Sequence, residues 1–97
     1  MTTMTTSAAE PVGASEELVR AHAAELTALA AEHGVHDLRF ASTGRLVGRV
    51  DPDRDALDMA EFAAAAEKLL GAEISLLSEA VLGKPNVSSD LVHARAL

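Results

Sequence analysis

The chain has 97 residues, a formal charge of −7, and a composition that is 48% apolar but only 2% aromatic. That length allows one domain, and because alanine and leucine supply most of the apolar share, its core must be thin. The acidic balance argues against direct nucleic-acid binding, which needs clustered Lys and Arg, and favours a basic protein partner or a metal ion. With no cysteine, disulfides and thiolate metal sites are excluded.

Residues 1–14, MTTMTTSAAEPVGA, offer little to bury and are expected to form a disordered tail, leaving 15–97 as the domain. They also lack the charged and apolar regions of a secretory signal. No apolar run in the chain approaches the ~18 residues of a membrane span, so the simplest expectation is a cytoplasmic protein. Ser15, followed by Glu16 and Glu17, is placed to cap a helix, since its hydroxyl accepts from a free N–H and the acids suit the positive end of the dipole. Leu18, His22, Leu26 and Leu29 recur at helical spacing, and His33-Gly34 ends the run.

Residues 35–41 alternate as a short strand, broken by Ser42-Thr43-Gly44. Residues 45–50, RLVGRV, read as a loop or as an extended piece interrupted by Gly48. Asp51-Pro52-Asp53 is turn chemistry, and 56–59 is assigned as a second strand. A helix over 60–70 ends at Gly71, with Phe62, Ala66, Leu69 and Leu70 on its inner face. A third strand over 73–77, a helical turn over 78–82 and a last helix from Ser88-Ser89-Asp90 to Leu97 complete the chain. The expected class is α/β (α+β): a small mixed sheet of about three strands covered by helices on one side.

The segment FASTGRLVGRVDPDRDALDM concentrates the chemistry, with a hydroxyl-and-glycine turn, two arginines and then clustered aspartates. Acids around a proline are common in solvated turns. The histidines His22, His33 and His36 read as surface or cap residues, because a zinc site from HGVH lacks a clear fourth ligand.

Through ELTALAAEHGVHDLRF, KLLGAEISLL and the spacing of Ser42 from Asp53-Arg54-Asp55, most of the chain, from about Leu18 to Leu97, resembles the minimal nucleotidyltransferases. ELTALAAEHGVHDLRF is similar to the opening helix and strand of that family, and KLLGAEISLL to its later helix–glycine–strand unit. The family has ten residues between Gly-Ser and Asp-x-Asp, and ten residues separate Ser42 from Asp53-Arg54-Asp55. Other alignments put Thr43 at the serine position and Asp55 with Asp58 as the acid pair. Departures from the pattern are Ala41 for the glycine, Arg54 for an aliphatic residue, and Ser75 where a third carboxylate belongs.

The resemblance implies Ser42, Asp53 and Asp55 as catalytic residues, with Asp53 and Asp55 holding Mg²⁺. It also implies Ser42, Thr43, Gly44 and Arg45 as the cradle for the phosphates of ATP, with Arg49 as a nearby substitute. Two aspartates at i and i+2 of a strand would project from one face toward the metal. The resemblance further implies an antitoxin that neutralises a helical HEPN-type ribonuclease toxin by binding, by AMP transfer to it, or by both. The alternatives are a working Mg²⁺-dependent transferase acting on another hydroxyl, and a catalytically dead module that forms a homodimer.

Overall fold

The computed structural model describes residues 12–97. Helix α1 (Glu16–Ala21) begins where Ser15 Oγ accepts from the Leu18 N–H at 3.2 Å. The run expected as one helix is broken at His22, whose N–H turns back to the Val19 carbonyl while its ring meets the Glu25 carboxylate at 2.6 Å. Helix α2 (Ala23–Glu32) follows and ends at His33, with Gly34 left-handed. Of the apolar stripe, Val19, Leu26 and Ala30 are buried, and Leu18 and Leu29 pack beside them.

Strands β1 (Val35–Ser42) and β2 (Arg45–Val50) form an antiparallel hairpin, so RLVGRV is a strand. The assignment of 56–59 as a strand is incorrect, because these residues open helix α3 (Ala56–Leu70). Asp55 Oδ1 accepts from the N–H groups of Leu57 (3.0 Å) and Asp58 (3.3 Å), and Asp58 Oδ2 accepts from Asp55 N–H at 3.2 Å. This reciprocal capping box, followed by alanine-rich sequence, favours helix over the weak β-formers of a strand.

Strand β3 (Ser75–Ser78) runs parallel to β2, and Ser78 then opens the 3₁₀ turn Glu79–Gly83. The expected last helix is a single turn, α4 (Ser89–Val92). The chain then returns as β4 (Arg95–Ala96), antiparallel to β1. Arg20 donates to the Ala96 carbonyl at 2.9 Å, Arg95 to Glu16 at 2.7 Å, and Leu97 N–H to the Leu38 carbonyl at 3.1 Å. A continued helix would forgo all three contacts. The sheet therefore has four strands, in the order β3-β2-β1-β4.

The core lies between helices α1, α2 and α3 and one sheet face, where Val35, Leu38, Phe40 and Leu46 meet Val19, Leu26, Phe62 and Ala66. The alternating strand positions Arg39, Arg45 and Val47 face the other way, toward the 3₁₀ turn and α4, so that face is covered too. Residues 12–14 do not belong to a loose tail. Glu73 N–H donates to the Val12 carbonyl, Ala14 N–H donates to the Glu73 carbonyl, and Ala14 is buried. The rest of the expected tail lies outside the described residues. No described helix is long and apolar enough to cross a membrane.

Candidate functional site

The residues expected to hold phosphate sit together at the β1–β2 turn. Gly44 has φ 76°, and its backbone is held on both sides: its N–H donates to the Ala14 carbonyl at 2.8 Å and its carbonyl accepts from Ser75 N–H at 2.8 Å. Ser42 Oγ donates to Asp90 Oδ2 at 2.6 Å. Arg45 reaches both oxygens of the same carboxylate, at 3.0 and 3.3 Å. The Ser42 hydroxyl is the main reason the Asp90 carboxyl is held below its ordinary range, with Ser88 and the Arg45 charge adding to the effect against partial desolvation. Thr43 is exposed beside them. The hydroxyl, the glycine N–H and the guanidinium that a phosphate would need are thus all engaged within the chain.

The acids expected to hold Mg²⁺ lie at the other end of β2. Six strand residues separate the two ends, which at ~3.3 Å per residue is roughly 17 Å. Asp51 N–H donates to the Gly34 carbonyl at 2.9 Å, its side chain meets His36 Nε2 at 3.1 Å, and its carbonyl accepts from Arg54 N–H to close the turn. Asp53 is exposed in that turn, and Asp55 is the N-cap of α3. Neither is on a strand, so the expected i, i+2 projection does not occur. The alternative pair, Asp55 and Asp58, does come together, but as mutual caps, with Arg54 on Asp58 at 3.1 Å.

The strand that lies beside Ser75 is β2, with Arg45 opposite Ser75 and Val47 opposite Leu77. The i, i+2 pair that β2 presents beside Ser75 and Leu77 is therefore an arginine and a fully buried valine. This donor set does not fit Mg-ATP, because the carboxylates do not converge on the phosphate cradle and the cradle is closed by Asp90. Sequence reasoning missed Asp90 as a site residue and read it only as a helix cap. It lies 48 positions from Ser42 and 45 from Arg45, so no local pattern joins them.

A solved structure provisionally assigned as a minimal nucleotidyltransferase is similar over 86% of this chain and 94% of its own, with a TM-score of 0.66 and 26% identity. The chain has a minimal nucleotidyltransferase-like fold. No protein-family model matches it, and no curated protein does so at a significant level. The likeness bears out the expected fold class, since a mixed sheet with helices is present and differs from the expectation by one added strand.

Proposed function

We propose that this chain is an antitoxin-like binding protein that neutralises a basic, helical HEPN-type ribonuclease by association alone, without transferring AMP. The pairing of Asp90 with both Ser42 and Arg45 carries the non-catalytic part of this reading, because it neutralises the one guanidinium placed to meet a nucleotide phosphate. The formal charge of −7 supports an electropositive partner, to which it would give fast and selective encounter.

A shallow apolar groove between α2 and α3 supports a helical contact. Ala28, Leu29, Ala65 and Leu69 line it, and Glu25 and Glu32 stand along its α2 side. The small alanine side chains in its lining let another helix approach closely, and the two glutamates match Lys or Arg flanking an apolar row.

Co-expression with a HEPN-type ribonuclease encoded beside the chain, followed by co-purification, tests the reading directly. Growth should be rescued, and Asp53→Asn and Asp55→Asn should rescue as well as wild type. Leu69→Glu with Glu25→Lys should weaken the complex. A toxin that gains the mass of AMP would overturn binding-only neutralisation. A stable homodimer that captures no such ribonuclease would overturn the antitoxin reading itself.

A further inference from the structure

His33, Asp58 and Glu61 come from two different helices, yet each offers a ligand atom within 4.8 Å of the others. We propose that they form a surface site for a first-row divalent ion of the Zn²⁺, Co²⁺ or Ni²⁺ class. The site is separate from the phosphate cradle, and of the acids weighed from the sequence it uses only Asp58.

The sequence brings these groups together through two helix ends. His33 is the C-cap of α2, while Asp58 and Glu61 are three residues apart on the first turns of α3, a spacing that puts them on one face. The carbonyl end of α2 carries partial negative charge, and no basic residue lies in its last turn to offset it. A cation is favoured there before any side chain is counted.

Two of the three ligands are already oriented. The His33 ring packs edge-on against Phe62, with centroids 6.4 Å apart at 66°, and Phe62 is fully buried. Asp58 is fixed by Asp55 N–H on one oxygen and by Arg54 on the other, and each oxygen keeps a second lone pair for a metal. Such outer partners hold ligands in place at known metal sites. Glu61 is exposed and free to swing inward. Ligands on a tetrahedral ion at ~2.0–2.1 Å lie ~3.3 Å apart, so closure needs a contraction of about 1–1.5 Å, within reach of a mobile glutamate.

One imidazole with two carboxylates suits zinc-like ions, with water completing the shell. Mg²⁺ and Ca²⁺ prefer all-oxygen shells and are not expected to bind. The Arg54 guanidinium is the built-in competitor, since it neutralises Asp58 when no ion is bound. Binding would tie the end of α2 to the start of α3, so it should stabilise the folded chain.

Calorimetric titration of the tag-free full chain with ZnCl₂ tests this, alongside thermal melts and ¹H NMR of the histidine rings with CoCl₂. One saturable site, a raised Tm with Zn²⁺ but not Mg²⁺, and first broadening at His33 among the four histidines are expected. His33→Gln and Glu61→Gln should each weaken affinity by about tenfold or more, and Arg54→Gln should strengthen it. His93→Gln should change nothing. The NMR reading needs no variant, so it stands even if a substitution perturbs folding. Absence of saturable binding, equal affinity in His33→Gln, or first broadening at another histidine would overturn the site.

Discussion

Gly44→Ala separates a closed structural turn from an open phosphate cradle. At φ 76° an alanine side chain meets left-handed strain of ~1–2 kcal/mol. Its Cβ would also lie 3.1 Å from Gly13 Cα and 3.5 Å from the Glu73 carbonyl oxygen, both backbone atoms. The turn cannot shift away easily, because the Gly44 N–H and carbonyl are bonded to Ala14 and Ser75. Overpacking of this kind adds about 1 kcal/mol at the low end of its range. The sum is ~2–3 kcal/mol, about half the stability of a small domain near 5 kcal/mol. At ~4–8 °C per kcal/mol, Tm should fall by roughly 10–20 °C. Gly71 is the internal control, since its φ is 68° but nothing lies within 4 Å of an added Cβ, so Gly71→Ala meets strain alone. Gly83 has neither feature, and Gly83→Ala should be neutral or stabilising by up to ~1 kcal/mol. Urea unfolding followed by far-ultraviolet circular dichroism suits a chain with no Trp or Tyr. If Gly44→Ala costs no more than Gly71→Ala, the Gly13–Gly44 crossing is not a packed contact and the turn is not closed.

Asp55→Ala should cost about 1 kcal/mol as a lost N-cap, whereas Asp53→Asn should stay within ~0.5 kcal/mol. Mg-ATP should shift Tm in neither variant nor in wild type, and a shift abolished by Asp53→Asn would restore the enzymatic reading. Phe62→Ala removes one of only two phenylalanines, fully buried, and should cost ~3–5 kcal/mol, leaving much of the population unfolded by circular dichroism at 25 °C. Because the folded-state pKa of Asp90 is lowered, its contribution is fully present above its unfolded value, near about pH 4, and is lost as pH falls through the lowered value. Asp90→Asn should therefore lower stability at neutral pH and flatten the acid limb of urea midpoint against pH. An unchanged limb would show that the Ser42–Asp90–Arg45 cluster is not formed in solution.

The elements carried by strong local signals were legible in the sequence. Ser15 caps the first helix, Gly34 ends the second, and β1 follows within one residue of its expected end. The failures came where a local pattern served two structures or where distant groups decided the outcome. Asp55 and Asp58 look like turn or metal acids in one dimension, and only their reciprocal bonds show them to be helix caps. By sequence alone Gly48 interrupts the 45–50 stretch. It faces the irregular stretch of β1 around Asp37, where an added Cβ would lie 2.6 Å from Val35 Cγ1, so the glycine permits the hairpin. Nothing local announces β4 at the end of the chain, because it is held by Arg20, Glu16 and Leu38 from elsewhere.

The same distinction explains the candidate site. Ten residues between Ser42 and Asp53 satisfy a motif spacing, but six of them form β2, which carries the chain away from the turn before the acids appear. A strand flanked by Ser75 would have to bear its acids at 45 and 47 to serve a metal there, and it bears Arg45 and Val47. The half-exposed Arg45 meets its counter-charge in Asp90 of α4. Charge balance at the turn is thus achieved within the chain.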